Sequence, residues 1–256
     1  KSYFIISPIL FIIDCLMYAM AEKIIFFTSK HLRSSAINHL PVLKNKAVII
    51  PQGVVVPRNI VPKTNNDNLF KNNVSILSVG RLVPYKGYKY SIQAIAILKT
   101  ILPKLQINYI IVGTGALHGD LIALIEELNL NSNVTIVTDA SDKIKFQLYE
   151  QADYFLFPSI TQNEAYGVVQ LEAMHYALPI INTQLNNGVN ELSPSGKCSI
   201  TVKPKDSHGI AMALYCLIEN PVLYNSLSKG SLRISSRLSI SNTRKRFKDL
   251  IKEISK

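Results

Sequence analysis

Tyr154-Phe155-Leu156-Phe157-Pro158-Ser159 leads, across Ile160-Thr161-Gln162, into Asn163-Glu164-Ala165-Tyr166-Gly167-Val168-Val169-Gln170-Leu171-Glu172. The first six residues read as a buried strand ended by Pro158. The apolar spacing from residue 165 to about residue 177 reads as a helix. Strand, polar loop and helix in that order are the unit of a parallel α/β sheet, in which ligands gather at the carboxyl ends of the strands.

Two acids flank the loop-to-helix passage. If both lay on one helix, Glu164 and Glu172 would stand about 12 Å apart along its axis. That is too far for a carboxylate pair sharing one bond, which needs about 5 to 9.5 Å. It suits a grip on the two ends of an elongated ligand. Between them lies a helix start, where free N–H groups and the positive dipole end favour phosphate. Polar ends with phosphate between describe a nucleotide sugar. The bland alternative is a first-turn acid favoured by the dipole and a solvated helix residue. The rest of the chain weighs against it.

The same strand-helix alternation runs outward in both directions. Strands are expected at residues 75–79, 107–112, 134–137, 154–157, 179–182 and 199–202. Helices are expected at 88–102, 116–128, 143–151, 165–177 and 207–219, with a short turn at 187–192. This implies an α/β fold with a parallel sheet covered on both faces. Residues 54–73, rich in Pro, Asn and Lys, read as a linker. Before it, residues 23–29 and 47–50 read as strands around a helix at 30–39. Residues 240–254 read as a helix with a one-sided apolar stripe of Phe247, Leu250, Ile251 and Ile254.

Composition narrows the class. The 256 residues are 48% apolar, enough for one large or two small domains, and the net charge is +11. Such an excess suits an anionic partner. Basic residues are dispersed except at Arg244-Lys245-Arg246, and neither zinc-finger spacing nor an RNA-binding aromatic signature occurs, so nucleic acid is not expected. Cys15, Cys198 and Cys216 are scattered and form no C-x-x-C pair, which fits a reducing, cytoplasmic setting. Residues 3–21 are apolar and long enough to cross a bilayer. Asp14 would then sit near its centre, which is costly, and Pro8 interrupts the run. The chain starts with Lys, so the run is read as a helix of an internal fragment that packs on absent sequence.

Gly80-Arg81-Leu82-Val83-Pro84-Tyr85-Lys86-Gly87 follows the 75–79 strand. It is not a Walker A loop. Arg81 offers a planar fork and Lys86 a point charge, and two cations five residues apart can converge on one anion. Gly113-Thr114-Gly115 reads as a tight turn after a strand. The chain has no Asp-x-Asp to cradle a metal-bridged diphosphate, and its five histidines share no metal-binding spacing. No metal or other cofactor is therefore expected.

The ordered set Ser78-Val79-Gly80-Arg81-Leu82 with Lys86-Gly87, Ile111-Val112-Gly113-x-Gly115, and Phe157-Pro158-Ser159 with Glu164-Ala165-Tyr166-Gly167 and Leu171-Glu172-Ala173-Met174 resembles the retaining glycosyltransferases of the group 1 type (glycosyltransferase family 4). The resemblance spans about residues 74–217. It implies a GT-B plan: two Rossmann-like domains, doubly wound parallel sheets, with the active site in the cleft. This chain would supply the carboxyl-terminal, donor-binding half at residues 74–239. Residues 1–53 would be a remnant of the acceptor-side domain, 54–73 the linker, and 240–256 a helix returning to that domain.

By the same resemblance, Glu164, Arg81 and Lys86 carry the chemistry. Arg81 and Lys86 contact the donor diphosphate, Glu164 the transferred sugar and Glu172 the ribose. Gly80, Gly113 and the backbone of Ala165, Tyr166, Gly167 and Val168 complete the donor site. Val137 and Thr138 line the base pocket. There the family pattern has Gly where this chain has Thr138-Asp139, which leaves the base open. The expected reaction moves a hexose from a nucleotide-sugar donor to a growing surface polysaccharide or lipid-linked glycan acceptor. The wording at residues 159–172 and 182–189 resembles O-antigen and capsule enzymes, mannosyltransferases among them, which points to GDP-mannose. The expected location is cytoplasmic, with peripheral binding to an anionic membrane surface. The competing expectations are a nucleotide-sugar-binding fragment without activity, because the acceptor half is missing, and a GT-B-like epimerase or phosphorylase.

Overall fold

The computed structural model describes residues 20–21, 23–26, 30–55 and 72–255. Most of the apolar run at 3–21, and residues 56–71 of the stretch read as a linker, lie outside the described residues. The chain divides into two compact units, Lys1–Gly53 with Ile240–Lys256, and Val54–Ser239.

Within the first unit, β1 (Ile24–Phe26) pairs in parallel with β2 (Ala47–Ile49), and α1 (Lys30–His39) connects them. The Arg33 guanidinium donates to the Ala47 carbonyl at 3.0 Å. This unit also holds the last helix, α9 (Ile240–Ile254), whose Leu250 is buried.

The second unit is a six-stranded, all-parallel sheet. Its strands are β3 (Asn73–Val79), β4 (Gln106–Val112), β5 (Val134–Val137), β6 (Tyr154–Phe157), β7 (Ile180–Thr183) and β8 (Ser199–Val202), in the order β5-β4-β3-β6-β7-β8. The connecting helices are α2 (Tyr88–Ile101), α3 (His118–Glu127), α4 (Asp142–Gln151), α5 (Val168–His175), α6 (Gly188–Leu192), α7 (Ser207–Glu219) and α8 (Pro221–Arg237).

Neighbouring side chains of one strand point to opposite faces, and both faces are covered. Ile76 joins the core of Tyr109, Ile92, Ile95 and Leu214, whereas Leu77 joins that of Phe155, Leu171, Met174 and Ile180. This explains why β6 reads as an unbroken apolar run. One polar chain crosses the first core: Tyr109 Oη lies 2.8 Å from both Ser78 Oγ and Ser91 Oγ.

The strand order places β3 beside β6, with the chain winding away in opposite directions from that pair. A doubly wound sheet opens a crevice at the carboxyl ends of such a pair. The loops there are tightly stacked. Gly113 adopts φ 159°, and a Cβ on it would sit 1.9 Å from the Gly80 carbonyl oxygen. Leu82 N–H also donates to the Thr114 carbonyl at 2.8 Å. Gly113 therefore props the 80–87 loop from behind.

Three expectations on helices change: the turn expected at residues 187–192 is a short helix, α6 (Gly188–Leu192), started by the Asn187 side chain. The helix expected from residue 165 begins at Val168, because Gly167 has φ 74°, outside the right-handed helical region. Helix α8 is absent from the sequence reading altogether. We expect Gly113→Ala to lower stability by about 2–3 kcal/mol, since its Cβ can only be housed by moving backbone. Urea unfolding of the variant beside wild type measures it.

Candidate functional site

The site is built where the β3 and β6 loops meet. After β3, Leu82 is buried and anchors the loop. Pro84–Lys86 forms a 3-10 turn, and Gly87 closes it in the left-handed conformation, φ 71°. A Cβ at Gly87 would lie 2.1 Å from the Pro158 carbonyl oxygen. Only glycine lets the first loop press so closely on the end of β6. Ile160 N–H then donates to the Tyr85 carbonyl at 2.8 Å, tying the loops together.

This contact carries Lys86 to Glu164. The ammonium donates to Glu164 Oε2 in an ion pair, and each residue is only 9% exposed. Ser159 Oγ donates to the same oxygen at 3.3 Å. Lys86 Nζ also faces the rings of Phe157, 5.1 Å from its centroid, and Tyr85, at 5.6 Å. The Glu164 backbone is fixed too. Asn187 Nδ2 donates to its carbonyl at 2.6 Å, while Asn187 Oδ1 caps α6 by accepting from Val189 N–H at 3.0 Å.

Arg81 behaves differently. It is exposed, and its Nη2 donates to the Tyr85 hydroxyl at 2.9 Å. Tyr85 therefore stands between the two cations, its ring toward Lys86 and its hydroxyl toward Arg81. Beneath them Tyr88 is buried near Gly80, and burial holds its hydroxyl well above its usual pKa, with Tyr109 and Glu164 adding to the effect. It stays protonated.

After Glu164, helix α5 starts at Val168 with a glycine at its N-cap. Ala165 is exposed, Tyr166 and Gly167 are buried, and Gly167, having no side chain, supplies no cap of its own. Because Glu164 precedes the helix, the spacing of 1.5 Å per residue does not apply from it to Glu172. Glu172 lies in the second turn. Tyr149 Oη is 2.9 Å from its Oε2, Lys145 Nζ is 3.4 Å from its Oε1, and Lys145 reaches Asp142 at 3.1 Å.

Val137 ends β5 half-buried, and Thr138 is exposed. Asp139 has φ 55°. The left-handed position that glycine would fill is thus taken by aspartate, a residue that tolerates it. Gly113, half-buried, packs against the Gly80 backbone. The structure therefore brings Lys86 and Glu164 together, keeps Arg81 within reach through Tyr85, and seats Glu172 on the next helix. The sequence reading assigned no role to Ser159, Asn187, Tyr149 or Lys145. Asn187-Gly188 at a helix start carried a signal as an N-cap; the other three depend on tertiary contacts. Among the described residues, no group of three or more His, Cys, Asp or Glu side chains is arranged to hold a metal ion.

The profile of the glycosyl transferases group 1 family matches residues 62–233, and the chain belongs to that family. Among its relatives is the N-acetylgalactosamine-N,N'-diacetylbacillosaminyl-diphospho-undecaprenol 4-alpha-N-acetylgalactosaminyltransferase of Campylobacter jejuni, 26% identical over 81% of this chain and 54% of the relative. Another is the O-antigen chain mannosyltransferase C of Escherichia coli, 26% identical over 67% of this chain and 42% of the relative. The chain spans about half the length of the curated relatives it matches. A crystal structure of Anabaena HepE in complex with UDP superposes with a TM-score of 0.76 at 21% identity, covering 93% of this chain and 65% of that one. The fold is that of the GT-B glycosyltransferases.

Glu164→Ala should destabilise the chain by about 3 kcal/mol, because it leaves a buried ammonium unpaired. Glu164→Gln, which keeps an acceptor oxygen, should lose clearly less. Thermal and urea unfolding of both variants check this. Equal losses would contradict the pairing.

Proposed function

We propose that this chain forms the donor-binding half of a retaining glycosyltransferase that moves a hexose from a nucleoside-diphosphate sugar to a lipid-linked or growing surface glycan. The Lys86–Glu164 pair beside the uncapped start of α5 is the observation that supports this most strongly. It sets a cation, a row of backbone N–H groups and a carboxylate side by side at the switch point of the sheet. A diphosphate entering there draws Lys86 toward its oxygens, and Arg81 swings from Tyr85 to join it. Glu164, released from part of its pairing, accepts from hydroxyls of the sugar. Glu172 accepts from the ribose hydroxyls. As the bond between the anomeric carbon and the diphosphate oxygen breaks, its electron pair leaves with the nucleoside diphosphate. The acceptor oxygen takes the vacated position on the sugar, and its proton passes to the departing phosphate. Arg81, Lys86 and the α5 amides meet the charge that develops on the leaving group.

For the donor we infer GDP-mannose. The Escherichia coli relative supports mannose. The loop after β5 supports guanine, because its exposed Asp139 is a carboxylate and guanine presents two adjacent donors where uracil presents one. Competitive titration with GDP and UDP decides between them, and tighter UDP binding would overturn the choice. For the acceptor, the name of the Campylobacter relative supports a diphospho-polyprenol.

An anionic membrane face is the proposed docking partner. Arg244, Lys245, Lys248 and Lys252 are all exposed on α9 and fall within an arc of about 100° at 3.6 residues per turn. Exposed Ile251 lies at its edge. Each cation near an anionic lipid surface is worth about 1 kcal/mol. Sedimentation with vesicles of phosphatidylcholine alone and with phosphatidylglycerol should show binding only to the latter. It should be lost when the four cations are changed to Gln. Equal binding to both vesicle types would contradict this.

Arg81→Ala and Lys86→Met should each weaken nucleoside diphosphate binding by about 1.5–3 kcal/mol, the worth of a charge-assisted hydrogen bond. Binding of the nucleoside should be nearly unchanged. Calorimetry with both ligands, repeated in EDTA, measures this. Equal losses for both ligands would show that the diphosphate is held elsewhere.

A further inference from the structure

Glu172 sits in a prepared setting. Tyr149, in the last turn of α4, is completely buried. Its ring stacks on Tyr176, with centroids 5.5 Å apart and planes 13° from parallel, and packs at 5.7 Å against Phe155 of β6. The ring is therefore locked. Only the hydroxyl reaches past the stack, and it meets Glu172 Oε2 at 2.9 Å, with the Val169 carbonyl at 3.3 Å. A phenol has one proton to give. The shorter contact is to the charged acceptor, so the proton goes to the carboxylate. Burial and the neighbouring Glu172 charge both push the Tyr149 pKa up, so the hydroxyl remains a donor.

The other oxygen of Glu172 faces Lys145 one turn earlier on α4. Lys145 is the middle of a chain of charges, 3.4 Å from Glu172 and 3.1 Å from Asp142. Asp142 is the first residue of α4 and follows the loop that begins at Thr138. Burial alone would lower the Lys145 pKa, yet the two carboxylates raise it, so it stays charged. Glu172 is thus held from both sides by α4, with lone pairs left over. An ionised carboxylate has about four acceptor positions, and these contacts occupy two.

We propose that Tyr149 and Lys145 are positioning residues for nucleoside recognition. They fix the Glu172 carboxylate so that its remaining lone pairs accept from the two ribose hydroxyls, and Lys145 links that carboxylate to the base loop through Asp142. This rests on the reading of Glu172 as the ribose acceptor. It adds a second helix to the donor site, reaching the ligand only through Glu172. A purely structural tyrosine would support the fold without distinguishing one nucleotide from another.

The test crosses a variant with a ligand change. The full chain is titrated by calorimetry with GDP or UDP, whichever binds more tightly, and with the matching 2′,3′-dideoxynucleoside diphosphate. Wild type is expected to bind the ribonucleotide at least tenfold more tightly. Tyr149→Phe keeps the stacked ring and removes the hydroxyl. It should lose about tenfold in affinity for the ribonucleotide, matching a hydrogen bond to a charged group, and little for the dideoxy analogue. Lys145→Met should shift the same ratio in the same direction. Equal losses for both ligands, or no loss at all, would overturn the positioning role while leaving the ribose reading standing. Wild type that binds both ligands alike would overturn the ribose reading itself, and the inference with it.

Discussion

The ion pair between Lys86 and Glu164 depends on two loops from strands that are far apart in sequence and adjacent in the sheet. Neither charge is stable where it sits without the other. Their meeting requires β3 beside β6, the left-handed Gly87 against the Pro158 carbonyl, and the hydrogen bond from Ile160 to Tyr85. Thr183 Oγ1 donates to the Ser159 carbonyl, so β7 braces the same loop from its far side. Asn187 then connects that loop to α6. The crevice is consequently a property of the whole carboxyl edge of the sheet rather than of one motif.

Behind the site lies a polar layer that is unusual for a core. Asn182 Nδ2 donates to Ser193 Oγ at 2.7 Å, Ser193 Oγ donates to Gln170 Oε1 at 2.6 Å, and Thr201 Oγ1 donates to Asn182 Oδ1 at 2.7 Å. Gln170, Asn182 and Ser193 are fully buried. Buried amides and hydroxyls are tolerable only when paired, and a paired set accepts few alternative arrangements. The network joins α5, β7, the end of α6 and β8. It keeps the start of α5 in register with the Glu164 loop.

Much of this could be read in the sequence, for physical reasons. Strand β6 falls where its apolar run lies, because all four of its residues are buried and none is polar enough to blur its limits; the edge strands β5 and β8 keep their limits through Val134, Ile136, Val137, Ile200 and Val202 despite Thr135 and Thr201. The residues that meet in the crevice were visible as odd chemistry at strand ends: Arg81, Lys86 and Glu164. Their pairing was not, since nothing local relates positions 78 residues apart. Apolar periodicity places the start of α5 too early because it continues through Ala165 and Tyr166, while the left-handed backbone at Gly167 leaves no such trace. Helix α8 escapes the apolar pattern for a different reason. Its buried face uses Ser228, Gly230, Ser231 and Ser235 beside Tyr224 and Leu227, and Ser231 and Ser235 donate to the Leu178 and Met174 carbonyls. Small residues that allow close packing give no hydrophobic stripe. Its start did carry a signal, Asn220 capping ahead of Pro221.

In the proposed donor site Glu164, paired with Lys86, is the sugar-binding acid, whereas Arg81 touches only the diphosphate. The most direct measurement compares the affinity for a nucleoside-diphosphate hexose with that for the nucleoside diphosphate alone, in wild type, Glu164→Gln and Arg81→Ala. The gain contributed by the sugar should be present in wild type, vanish in Glu164→Gln, and persist in Arg81→Ala even though both ligands bind that variant more weakly. A sugar contribution that is unchanged in Glu164→Gln would contradict the account.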